Sequence, residues 1–175
     1  MMNETLKTIH HRRSIRSYKP EQITDEELKT ILDAGCMAPS AMNQQSWHFT
    51  VLQNPEKIQH LLDIAKKVLG RDDSFAPFYG APTVVLVFGR RDAISPVSDG
   101  SLAIENMFLA ADSIGIGSCW INFVVHFFET PEGKALQKEF GVDENYLSVG
   151  SFILGYPNET PQPKPRNEGC ITIIR

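Results

Sequence analysis

This chain of 175 residues has only three cysteines, Cys36, Cys119 and Cys170. Their odd number and the lack of a CxxC pair exclude a disulfide framework and a zinc site, and predict reduced thiols in a cytoplasmic protein. No metal-ligand spacing is present elsewhere. There is no uninterrupted apolar run of the ~20 residues needed to cross a membrane. Nor does a basic start followed by an apolar stretch mark the N-terminus as a signal peptide. Cationic excess is missing too: 17 Lys and Arg face 21 Asp and Glu, for a net charge of −4 and a pI near 5.7. That argues against a general nucleic-acid binder. Repeats and low-complexity tracts are absent. No strand–GxGxxG–helix and no GxxxxGK[ST] occurs, and Gly115-Ile116-Gly117 follows a helix rather than opening one. Any nicotinamide must therefore bind without a Rossmann unit.

What is there suffices for one good core and hence a single domain over residues 1–175, since 42% of the residues are hydrophobic. The organising stretch is Asp99–Asn122. Its first sixteen residues predict a helix with almost no polar face, which must be buried on all sides. A chain this short cannot easily surround such a helix, so packing against a second copy is expected. Gly115 and Gly117 end the helix, and Ser118–Asn122 leaves as a short extended segment suited to holding a flat ligand.

The strongest electrostatic feature lies near the start. Arg12, Arg13, Arg16 and Lys19 fall within eight residues, interleaved with Ser14, Ile15 and Tyr18. Packed guanidinium groups match carboxylate or phosphate, and Ser14 adds a hydroxyl. Thr24 and Glu27 form a capping box before a helix that runs to about Met37. The loop 38–48 carries the amides Asn43, Gln44 and Gln45, which suit the edge of a heterocycle but also an ordinary turn. Strands are predicted at 49–53, 83–88, 147–154 and 170–174, with helices at 3–11, 56–69 and from Thr130 to Phe140. Phe75, Phe78 and Tyr79 lie in an irregular loop that either lines a pocket or covers core. His126 is expected to be packed. Lys164-Pro165-Arg166 offers two cations in a stiffened loop.

Taken together, RRSIRSY at 12–18, APSAMNQQSWHF at 38–49, GIGSCWIN at 115–122, GYP at 155–157 and KPR at 164–166 resemble the FMN-dependent nitroreductase family. Each motif is weak alone, but five in this order and spacing are specific. The resemblance implies an α+β sandwich: a mostly antiparallel or mixed sheet flanked by helices, with the long central helix at a two-fold dimer interface. It also implies one FMN at each subunit junction. Arg12, Arg13, Ser14 and Arg16 would hold the phosphate and ribityl chain, and Lys164 and Arg166 would reach the same phosphate. Pro39, Ser40 and Ala41 would come from the partner subunit against the ring, with Asn43 and Gln45 as polar contacts. Trp120, Ile121 and Asn122 would run along its other side.

The implied reaction is a two-stroke hydride transfer from NADH or NADPH to flavin and on to a small-molecule acceptor such as a nitroaromatic or quinone. No side chain need act as acid or base, so no catalytic residue is named. The alternatives are an FMN protein with another reaction or a sensing role, an acyl transferase using Cys36 and His48, and a nucleic-acid role for the arginines. Two departures from the family pattern stand out. Ser46 replaces a common proline, which should loosen its loop. Residues 71–98 are compact, which should leave the cleft open.

Overall fold

A computed structural model describes all residues from Met1 to Arg175. The helices are α1 (Glu4–His11), α2 (Asp25–Cys36), α3 (Pro55–Val68), α4 (Pro96–Ser113), α5 (Phe123–Phe127) and α6 (Pro131–Glu139). The strands are β1 (Trp47–Leu52), β2 (Thr83–Arg90), β3 (Gly117–Ile121) and β4 (Tyr146–Gly155). They form one sheet in the order β1-β2-β4-β3, antiparallel throughout. The only parallel pairing is a single bridge between Ser14 and Ser118.

β2 reads as a continuous apolar run because both faces are covered. Val84, Leu86 and Phe88 point into a core shared with α3, α5 and α6. Val85 and Val87 point the other way, into a core with Ile31 of α2 and with Ala103, Ile104, Met107 and Ala111 of α4. This is the period-two alternation of a strand, with apolar residues at both phases. Phe78 is buried and Phe75 meets Phe123 edge-on with ring centroids 5.3 Å apart. The loop that carries them thus covers core, and of its three aromatics only Tyr79 is exposed.

Local chemistry sets the element ends. Thr24 Oγ1 accepts from Glu27 N–H and Glu27 reaches back to Thr24 N–H, completing the capping box. Asn54 and Thr130 cap α3 and α6, each followed by proline at the first helical position. At the far end of α4, Gly115 has φ +80°. Its N–H bonds Asp112 O, and Ile116 N–H bonds Ala111 O at 2.9 Å. This paired closure needs a left-handed residue, which glycine supplies without strain.

Three expectations need correction. Residues 170–174 form no strand: Ile171, Ile173 and Ile174 are exposed, because a strand needs a sheet edge to pair with and none lies beside them in this chain. His126 lies on the solvent side of α5 and is exposed, since Val124 and Phe127 take the buried positions of that short helix. The central helix also starts three residues before the predicted Asp99. It begins at Pro96, and Val97, Leu102 and Ile114 remain exposed on it.

Candidate functional site

Past α1 the chain runs along the outer edge of β3. Ile15 N–H donates to Ser118 O at 2.9 Å, and Tyr18 forms an antiparallel bridge with Pro157. The end of β4 is thereby laid beside residues 14–19. Asn158 N–H donates to Ser17 O and Lys19 N–H to Tyr156 O.

Arg12, Ser14 and Arg16 gather near the Cys119 thiol on β3. Burial raises that thiol's pKa, while Arg16, Ser14 and Arg12 oppose the rise. Arg12 also lies over the Phe108 ring, 5.6 Å from its centroid, and 3.8 Å from Glu105. The Arg16 side chain is exposed and makes no ion pair, although its backbone N–H donates to Glu159. Two guanidinium groups and a hydroxyl on successive alternate residues fit a phosphate ester. Arg13 is committed differently. Its Nη1 donates to the carbonyls of His10, His11 and Arg12 at 2.8, 3.1 and 2.7 Å, closing the C-terminal end of α1. A cavity of about 600 Å³ opens on the Arg13 and Ile15 side, between α1 and residues 157–163, and Arg12, Ser14 and Arg16 do not line it. Lys164 and Arg166 are exposed on the irregular tail, and their side chains make no hydrogen bond or ion pair.

The loop 38–46 is a second cluster, and its backbone is unusual. Met42, Asn43 and Gln45 have φ of 51°, 55° and 45°. A non-glycine residue held there costs on the order of 1–3 kcal/mol and persists only when its surroundings enforce it. The enforcing contacts are visible. Gln45 N–H donates to Ser40 Oγ at 2.9 Å, and Gln45 Nε2 to Asn43 Oδ1 at 3.1 Å. Gln44 Oε1 accepts from Ile94 N–H at 2.9 Å. Asp99, in the first turn of α4 and only 2% exposed, accepts Ala41 N–H at 3.0 Å and the Ser46 hydroxyl at 3.3 Å. Asp99 was missed in the sequence, where it reads as one more helix-starting acid. Ser46 is 1% exposed and ties the loop down, the reverse of the loosening expected of it.

The third cluster is Trp120–Asn122. The Trp120 indole lies against Gly150 so closely that a Cβ there would come within 2.6 Å of Trp120 Cζ2. Its Nε1 donates to Asn122 Oδ1 at 3.2 Å.

Within one chain the first two clusters do not meet. Asp99 holds the loop at one end of α4. Asp112, 3.0 Å from His11 Nδ1, holds the arginine segment at the other. At a rise of ~1.5 Å per residue these ends are about 20 Å apart. His48 is exposed and Cys36 is exposed at the end of α2; neither has a hydrogen-bonded partner that would activate a thiol.

A family model described as the nitroreductase family matches residues 9–156. A Bacteroides fragilis nitroreductase solved with bound FMN is 37% identical, with a TM-score of 0.93, over 99% of this chain and 100% of that one. A Desulfitobacterium hafniense nitroreductase with bound FMN is 31% identical, with a TM-score of 0.88, over the whole of both chains. The NADPH-flavin oxidoreductase of Vibrio harveyi is 29% identical over 98% of this chain and 73% of its own length. With motifs, fold and solved relatives in agreement, this chain belongs to the nitroreductase family.

Proposed function

We propose that this chain is an FMN-dependent NAD(P)H oxidoreductase that works as a homodimer, all 175 residues of each copy serving as one FMN-binding domain. The observation that carries the reading is the separation along α4. The phosphate-suited set lies at one end and the strained loop at the other. Two copies related by a two-fold axis, with their α4 helices antiparallel, bring the arginine end of one beside the loop end of the other. Leu102 is exposed on the outer face of α4, Val97 and Ile114 are exposed at its two ends, and Leu6 and Ile9 of α1 and Met37 and Met42 are exposed apolar side chains as well. Apolar surface of this extent is what a second copy would cover.

In this reading Arg12, Ser14 and Arg16 hold the FMN phosphate, with Arg13 fixing the turn that aims them. Lys164 and Arg166 reach the same phosphate from the tail. Pro39, Ser40, Ala41, Asn43 and Gln45 of the second copy lie against the ring, opposite Trp120, Ile121 and Asn122. Bound FMN supplies the hydride chemistry between NADH or NADPH and a small acceptor such as a nitroaromatic or quinone. The chain's own part is to anchor, orient and exclude water, and no side chain need move a proton. No helix is long and apolar enough to cross a membrane. The unpaired thiols Cys36 and Cys170, both exposed, suit the reducing cytoplasm.

The test is spectroscopic. The purified protein is expected to be yellow, to bleach on anaerobic addition of NADH or NADPH, and to recover its colour on addition of a quinone. A protein that takes up FMN but oxidises neither nicotinamide across a panel of acceptors would instead be a flavin-binding module. One that takes up no FMN would remove the reading altogether.

A further inference from the structure

We propose that Asp99 is a positioning residue for the flavin site, and that it serves the site of the partner subunit rather than the one holding its own chain's arginines. The inference rests on the dimeric, FMN-binding reading above.

Asp99 is a nearly fully buried carboxylate with no cation beside it. A buried charge is costly unless its oxygens are satisfied. Here Oδ1 takes the Ala41 N–H and Oδ2 takes the Ser46 hydroxyl. The positive end of α4, whose first turn contains it, supplies the remaining compensation. Both hydrogen-bond partners belong to the loop 38–46, and they bracket its three left-handed residues. A carboxylate that only terminated the helix would have no reason to grip both ends of a strained loop. Ser46 O also accepts Arg90 N–H at 2.9 Å, so the grip passes on to the end of β2. The loop is thus set by the N-terminus of α4 and by the sheet. Its exposed members, Pro39, Met42, Asn43 and Gln45, are left facing outward. The distance along α4 keeps that surface away from Arg12, Ser14 and Arg16 of the same chain. On the dimeric reading, that surface is assigned to a flavin held by another copy.

The experiment begins with the wild-type protein, whose mass and FMN titration are measured first. A monomer, or a protein that takes up no FMN, ends the underlying reading before any variant is made. With a flavin-binding dimer in hand, Asp99→Ala is expected to weaken FMN binding about ten-fold or more, the scale of losing charge-assisted hydrogen bonds. It should also shift the visible spectrum of whatever flavin still binds. Asp99→Asn keeps an acceptor for Ala41 N–H and should recover most of the affinity. Ser46→Ala removes one of the two bonds and is expected to shift affinity and spectrum the same way by less, which keeps the proposal testable if Asp99→Ala does not fold. Unchanged affinity and spectrum in folded Asp99→Ala would overturn the positioning role.

A mixed dimer then reads the subunit assignment. One copy carries Asp99→Ala and the other Arg12→Ala with Arg16→Ala, separated by two affinity tags. If Asp99 acts across the interface, one junction carries both defects and the other neither, so one FMN binds with wild-type affinity. Two weakened sites and no wild-type site would overturn the assignment.

Discussion

Arg13 and Arg16 stand three residues apart in one basic cluster, and nothing in the sequence separates them. The structure does. Arg13 spends Nη1 on three carbonyls at the end of α1, whereas the Arg16 side chain is free. Arg13→Ala is therefore expected to lower stability by about 1–2 kcal/mol, as for lost hydrogen bonds to a charged donor. Arg16→Ala should leave the denaturation midpoint within error while weakening FMN binding. Chemical denaturation of the FMN-free protein beside an FMN titration checks both. Equal effects of the two variants on affinity would show that Arg13 also reaches the phosphate. The same limit applies to Asp99 and Ser46. Residue type announces an acid and a hydroxyl, but their meeting is a tertiary fact across 53 positions of sequence.

Elements were far more legible than these contacts, because they rest on local rules. The α2 capping box, the prolines opening α3 and α6, the Gly115 closure and the buried run of β2 all follow from spacing and turn chemistry. The tail strand failed because pairing is not local. Ile171, Ile173 and Ile174 have the right pattern and no edge within their own chain. At this scale α2 carries a pH-dependent tether. Glu27 Oε2 accepts Thr24 N–H at 2.8 Å and the Tyr156 hydroxyl at 2.8 Å, joining the helix start to the GYP turn after β4. The Thr24 N–H bond, helped by Tyr156, holds the Glu27 carboxyl below its ordinary value of 4.5. The folded state thus binds this proton less readily than the unfolded chain does. The stabilisation is present above that ordinary value and is lost as pH falls through the lower folded one. Since Glu27 is largely solvated, screening keeps its size small. Denaturant midpoints measured from about pH 6 down to about pH 3 should fall less steeply for Glu27→Gln than for the wild type. Parallel curves would assign the acid limb to other carboxylates.

At the scale of the whole molecule, the proposed homodimer makes each chain incomplete on its own. The outer face of α4 carries Leu102, 46% exposed, and Val97 at the helix start is 53% exposed, on a helix whose inner face is packed to zero exposure at Ala103, Ile104 and Met107. Burying a leucine fully contributes about 1.5–3 kcal/mol, and a two-fold contact counts each residue twice. Leu102→Lys places two ammonium groups in the proposed contact without touching the packed inner face of α4. It is expected to yield a folded monomer by sedimentation, with far-ultraviolet circular dichroism and denaturation behaviour of a native chain. The monomer keeps Arg12, Ser14 and Arg16 and its own loop 38–46, and should nonetheless lose the FMN colour. Mass and colour thus become one observable: at intermediate protein concentrations the flavin-bound fraction should track the dimer fraction. A monomer that stays yellow with wild-type affinity would mean that one chain completes the pocket alone. The separation of the two clusters along α4 would then have to be bridged by the tail bearing Lys164 and Arg166 rather than by a second copy.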